Sequence, residues 1–150
     1  MANRIVVAGS TGNLGKRIIR ALRAQDATVI ALVRQGTTPE KIESLQALGA
    51  TVERVDLSST DQIAGACEGA ACLVSALAGL RDVIVDTQTL LLEAAIHAGV
   101  PRFIPSDFST DFTSLPAGEN RNFDLRRAFH ESLDVAPIAS TAIFLSLIHI

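Results

Sequence analysis

Near the start of the chain a continuous apolar run, Arg4-Ile5-Val6-Val7-Ala8, breaks into Gly9-Ser10-Thr11-Gly12-Asn13-Leu14-Gly15. Directly after it, Leu14, Ile18, Ile19 and Leu22 recur at helical spacing. A strand that ends in a G-x-x-G-x-x-G turn and restarts as an amphipathic helix is compatible with few folds. Gly9 permits the tight turn, Gly12 lets backbone approach a phosphate, and Gly15 lets the helix lie close to the sheet. The helix N-terminus offers unpaired N–H groups and a positive dipole end to an anion. Thr11 and Asn13 add short polar groups there, and Ser10 and Leu14 complete the loop. A plain structural turn can use the same glycines, but the context favours a dinucleotide pyrophosphate.

The alternation continues along the chain. Segments 28–33, 51–55, 71–75, 100–104 and 140–144 read as strands, and 13–24, 39–48, 58–67, 82–98 and 122–133 as helices. Thr38-Pro39-Glu40 is a helix start and Gly49 a helix end. This order predicts an α/β fold, a doubly wound parallel sheet of the Rossmann-like NAD(P)-binding type. With six Phe, no Trp and no Tyr, the core must be aliphatic, which suits such a sheet.

Other classes are disfavoured. Net charge is −3 with no basic stripe, so no direct nucleic-acid partner is expected. No apolar stretch approaches the ~18 residues of a membrane span, and the first apolar run is too short for a signal peptide. A cytoplasmic protein is the default. Cys67 and Cys72 fit no zinc or redox spacing and read as buried apolar side chains; no metal site is expected.

The end of the second strand selects between cofactors. Val33-Arg34-Gln35 has no acid for a ribose 2′-hydroxyl, whereas Arg34 suits a 2′-phosphate. NADP(H) is therefore preferred, with NAD(H) as the other option. Lys16 and Arg17 either assist or are solvated. Asp56-Leu57, after the third strand, can meet the adenine edge, although a capping role for Asp56 is nearly as good a reading. Ala76, Leu77 and Ala78, after the fourth, are small enough to let backbone line the ribose and nicotinamide.

Val7 to Gly15, Val33-Arg34, Gly99-Val100-Pro101-Arg102-Phe103-Ile104-Pro105-Ser106-Asp107-Phe108 and Arg126-Arg127 together resemble the NmrA-like and isoflavone-reductase-like families, atypical members of the short-chain dehydrogenase/reductase superfamily. The resemblance spans residues 4–144, and its most specific part is the Arg-Phe-Ile-Pro-Ser-Asp-Phe segment. It implies an NADP(H)-binding fold with one of two activities. One is reduction of a small quinone, carbonyl or related electrophile; the other is sensing of cofactor redox state to regulate a protein partner. The isoflavone-reductase-like enzymes carry a catalytic Lys four residues before the Arg-Arg pair, where this chain has Asn122, and the superfamily's Tyr is absent altogether.

Asn122 and Ser106 are thus the candidate catalytic residues, each as a hydrogen-bond donor rather than an acid. His130, two helical turns from Asn122, reads as a surface or helix-end residue, and His97 as a dipole partner at a helix end. Arg121, Arg126 and Arg127 read as a solvated face with local charge pairs to Asp124 and Glu131. A quinone is favoured over a ketone because a hydroquinone anion needs less help from a protein acid. An epimerase or dehydratase that keeps its cofactor bound is disfavoured by the missing Tyr-Lys pair. A small-molecule substrate is expected, and oligomeric state is left open.

Leu145-Ser146-Leu147-Ile148-His149-Ile150 is one translation of CTG TCT CTT ATA CAC ATC, which resembles the end of a transposon adaptor used in sequencing libraries. The expectation is an incomplete NAD(P)-binding domain over 1–144, lacking its substrate region, and a non-native tail over 145–150. A native hydrophobic strand end is the other reading.

Overall fold

A computed structural model of the chain describes residues 3–145. Six strands, β1 (Arg4–Ala8), β2 (Thr28–Arg34), β3 (Thr51–Val55), β4 (Cys72–Ser75), β5 (Arg102–Ile104) and β6 (Ala139–Ser140), form one sheet in the order β3-β2-β1-β4-β5-β6. Every pairing is parallel, with Val6 of β1 opposite Ile30 of β2 and Leu73 of β4. Helices α1 (Asn13–Arg23), α2 (Pro39–Ala47), α3 (Thr60–Cys67), α4 (Gln88–His97) and α5 (Arg121–Leu133) connect them. This is the doubly wound α/β architecture that the alternation predicts.

The two faces of the sheet are covered separately. Val7 with Val29, Ala31 and Val33 packs on Ile19 of α1 and Leu45 of α2. Val6 and Ala8, with Ile30 and Leu32, pack on the opposite side against α3, α4 and α5 through Ile63, Leu91, Leu92 and Phe129. Successive residues of one strand thus serve opposite cores, which is why these strands read as unbroken apolar runs. Cys67 and Cys72 are both buried free thiols, and burial pushes each up to about 11. Among the described residues no helix is long and apolar enough to cross a membrane.

Two elements depart from expectation. The segment read as one helix over 82–98 opens as a π-helical stretch, Asp82–Thr87, and becomes α-helical only from Gln88. The Thr87 hydroxyl donates to the Asp82 carbonyl at 2.8 Å, bonding across the widened turn. The sixth strand, expected over 140–144, is Ala139–Ser140 alone. Its ladder on β5 ends because Pro105 carries no N–H; the chain then crosses to Ser109, which bridges Phe144 and accepts a 2.8 Å bond from the Leu145 N–H. The remainder of the expected tail, residues 146–150, lies outside the described residues.

Two glycines give opposite predictions. A Cβ on Gly15 would collide with the Gly9 carbonyl oxygen and sit 2.8 Å from Ser10 Cα. Gly65, exposed in α3, has nothing within 4 Å of that position. In chemical denaturation, Gly15→Ala is expected to destabilise by about 2 kcal/mol through overpacking, and Gly65→Ala to stabilise by about 0.5–1 kcal/mol through helix propensity.

Candidate functional site

The glycine turn sits at the C-terminal edge of the sheet, where β1 lies between β2 and β4. Gly9 has φ +75°, and a Cβ there would run into the Ala76 carbonyl, so the loops after β1 and β4 touch backbone to backbone. Gly12 occupies the N-cap of α1 in extended conformation, with no side-chain cap and no acid in the first turn. The helix therefore begins with uncapped donors and a positive dipole end, a fit for a phosphate. The Ser10 side chain turns inward instead: it is fully buried and donates to the Leu32 carbonyl at 2.7 Å, pinning the turn to β2. Asn13 Oδ1 accepts from Arg17 Nε at 3.1 Å, which occupies Arg17 locally. Asn13, Leu14 and Lys16 are not among the residues that line the groove.

That groove has a volume of about 580 Å³ and runs from Gly9, Thr11 and Gly12 past Ala76, Leu77 and Ala78 to Arg34. At the Arg34 end it is also lined by Thr37, Thr38 and Lys41. Sequence reading missed Lys41, although its place in the first turn of α2, just beyond the Arg34 loop, was a usable signal. Neither Arg34 nor Lys41 takes part in a salt bridge among the described residues. Arg54 on β3 fixes the loop that follows Arg34: its Nη1 donates to the carbonyls of Gln35 at 2.6 Å and Thr37 at 3.2 Å.

A second cavity of about 520 Å³ adjoins the first, sharing Arg34, Gly36 and Leu57 and adding Val55, Asp56 and Leu90. Asp56 has the turn role that sequence reading left open. Its Oδ1 accepts from the Ser58 hydroxyl at 2.6 Å and the Ser58 N–H at 2.9 Å, and these bonds hold its pKa below the ordinary carboxylate value.

The end of β5 is a buried polar network. Ser106 donates through Oγ to the Leu77 carbonyl at 2.6 Å and through N–H to Gln88 Oε1 at 2.8 Å. Gln88 is itself fully buried and donates to the Ile84 carbonyl at 3.0 Å. Ser106 thus braces the loop that lines the groove and is bonded to protein at both groups. Asn122, by contrast, stands exposed on the first turn of α5, its N–H held by the Asn120 cap, and lines neither cavity.

His130 is not the surface residue that its spacing suggested. Its Nε2 lies 2.5 Å from Oδ2 of Asp107, which is fully buried, and the ring packs edge-on against Phe112 and Phe129. Asp107 Oδ1 has no partner among the described residues. The hydrogen bond to Asp107 raises the His130 pKa; burial opposes this, and the Asp107 and Asp134 charges add to it. Arg127 makes the local pair with Asp124 that the sequence led one to expect, but it is only partly exposed and is committed to backbone as well. It pairs with Asp124 at 2.8 Å and donates to the carbonyls of Phe112 and Leu115, tying the loop before α5 to the helix.

The sheet order and the glycine turn at the β1–α1 junction define a Rossmann-like α/β fold. The NmrA-like family model matches residues 1–127. Pinoresinol reductase 1 of Arabidopsis thaliana is 33% identical over 150 aligned residues, covering 92% of this chain and 47% of the relative. An NmrA-like family domain-containing oxidoreductase of Gibberella moniliformis is 31% identical, covering 99% of this chain and 54% of the relative. The structure of AtPrR2 with NADP+ and (+)pinoresinol superposes with a TM-score of 0.84 at 28% identity, over 96% of this chain and 50% of that one. The chain spans about half the length of the curated relatives it matches. It belongs to the NmrA-like family.

The Asp107–His130 contact predicts a pH-dependent stability. The His130 pKa is raised in the folded state, so its contribution is complete below the unfolded value, near 6.5, and is lost as pH rises through the folded value. Denaturation midpoints measured from pH 5.5 to 8.5 should fall with rising pH in that window. His130→Gln should remove that part of the slope, and an unchanged slope would show that another group carries it.

Proposed function

We propose that the chain binds NADP(H) in the groove beside the glycine turn and that the protein uses it to reduce a small electron-poor acceptor, with a quinone preferred over a simple ketone. The observation that carries the cofactor reading is the pair of cations, Arg34 at the end of β2 and Lys41 in the first turn of α2, that line the groove without a salt bridge among the described residues, where β2 ends with no acid to bind a ribose 2′-hydroxyl. Two cations and the hydroxyls of Thr37 and Thr38 suit the extra phosphate of NADP(H). The glycine turn and the start of α1 take the pyrophosphate through free backbone N–H groups, that of Gly12 being already given to the Gly9 carbonyl at 3.1 Å. Ala76, Leu77 and Ala78 lead toward the nicotinamide end. NAD(H) would find the same turn but nothing for Arg34 and Lys41 to hold. The AtPrR2 complex with NADP+ supports this reading.

The cofactor supplies hydride chemistry, and the protein supplies position and electrostatics. This chain's residues at the reactive end are braces: Ser106 holds the Leu77 carbonyl, and Gln88 holds Ser106. With Asn122 in place of a Lys and no Tyr in the chain, both acids that the family resemblance leads one to look for are missing, and His130 is engaged by Asp107 of the Ser106-Asp107 segment. A quinone fits such a site because its reduced anion is stable enough to take its proton from water. The same absence favours a second reading, an NADP(H) redox sensor that contacts a regulatory protein and turns over little substrate.

Titration of the chain with NADPH and NADH tests the cofactor reading. NADPH should bind more tightly, and Arg34→Ala and Lys41→Ala should each weaken NADPH by about tenfold or more while leaving NADH nearly unchanged. Equal affinities for the two dinucleotides would overturn the phosphate assignment. Steady NADPH oxidation with an added quinone supports the reductase; binding without turnover across a panel of quinones and carbonyls supports the sensor.

A further inference from the structure

Asp107 is the one fully buried charged side chain among the described residues. His130 is its only ion-pair partner there, and Asp107 Oδ1 meets nothing. We propose that this contact is a proton-operated latch on the inner end of the groove. Charged His130 holds the segment after β5 in place; neutral His130 lets it slacken and weakens the hold on a nicotinamide ring. The proposal rests on the NADP(H) reading above and adds regulation by protons to it.

The path from latch to groove is short. Asp107 directly follows Ser106, whose Oγ donates to the Leu77 carbonyl at 2.6 Å, and Leu77 lines the groove. A shift of Asp107 is therefore felt by the backbone at the groove wall. A neutral imidazole still has one N–H to donate, but it offers no countercharge. A buried carboxylate without one, and with an oxygen already unpartnered, is costly. Moving outward to meet water relieves that cost and draws Ser106 with it.

The surroundings leave His130 with few other influences. Its ring lies between Phe112, from the loop before α5, and Phe129. Asp111 on that loop is spent on Thr113. On α5 itself, Asp134 stands 3.9 Å from Nδ1 and is largely exposed, and Arg127 is committed to Asp124 and to backbone. The charged residues of the neighbouring π stretch and α4, Asp82, Asp86 and Glu93, are exposed and make no ion pair with it among the described residues. The hydrogen bond to Asp107 raises the His130 pKa above its ordinary 6.5, burial opposing and the Asp107 and Asp134 charges adding. The latch is thus closed at and below that value and opens as pH rises through the raised one.

The test is a calorimetric titration of the folded chain with NADPH and with 2′,5′-ADP from pH 5.5 to 8.5. The fragment carries the 2′-phosphate but no nicotinamide, so phosphate ionisation cancels in the ratio of the two affinities. That ratio should fall by about fivefold with rising pH, the range that separates a charge-assisted from a neutral hydrogen bond. His130→Gln should hold it at the weak level at every pH, and His130→Lys, charged throughout, near the tight level. Hydrogen exchange on the unsubstituted chain gives a readout that needs no variant: protection of the Ser106 N–H, which Gln88 accepts at 2.8 Å, should drop over the same window. A ratio that does not change with pH, a slope that survives in His130→Gln, or Ser106 protection that stays constant each overturns the latch and leaves the NADP(H) reading intact. A folded chain that binds neither NADPH nor 2′,5′-ADP overturns both readings.

Discussion

The close approach of Gly9 to Ala76 is the contact on which the groove depends. It occurs where the chain, having laid β1 in the middle of the sheet, sends β2 and β3 to one side and β4, β5 and β6 to the other. A crevice opens at such a reversal of strand order. Its width is set by how near the loops after β1 and β4 can come, and a glycine at φ +75° lets them touch. The Ala76 N–H donates to the Ala8 carbonyl at 2.9 Å, and Ser10 is bonded to Leu32 on the other side. The turn is therefore anchored to both neighbouring strands.

Net charge says little about what this groove attracts. The chain is acidic overall, at −3, yet the phosphate end of the groove is cationic. Several other cations are used within the protein: Arg54 on a loop, Arg127 on a loop and Asp124, Arg17 on Asn13. Arg34 and Lys41 line the groove without ion-pair partners among the described residues. On the far side, Asp56 and Asp86 make the adjoining cavity an acceptor surface. Such a division of charge along one cleft would orient, as well as attract, a ligand that carries phosphates at one end and a donor group at the other.

The fold was legible because its signals are local. Apolar runs of strand length, glycines at helix ends and Pro39 at a helix start each act over a few residues, and the structure follows them closely. The site was legible only where it too is local. The glycine turn and Arg34 sit at strand ends that sequence can locate, and Lys41 was within reach of the same reasoning. His130 with Asp107, and Gln88 with Ser106, were not. Their separations of 23 and 18 residues are bridged by the packing of α4 and α5 onto the sheet, and no periodicity reports which polar side chain meets which. The π stretch was hidden for a related reason. Asp82–Thr87 is built of four β-branched residues and two Asp, weak helix formers, but composition does not tell a widened turn from an α-turn, which shows only in the bonds it makes.

Those two long-range pairs share a location and a consequence. Both hold the segment after β5: Gln88 through the Ser106 N–H, and His130 through the Asp107 carboxylate. A buried carboxylate with one oxygen unpartnered is costly, and an aliphatic packing there would stabilise at least as well. What polar bonds provide, and aliphatic packing does not, is direction. They fix the Ser106 hydroxyl on the Leu77 carbonyl and thereby the backbone that lines the inner end of the groove. Residues of this segment are thus committed to shaping the cleft rather than to offering free donors to it.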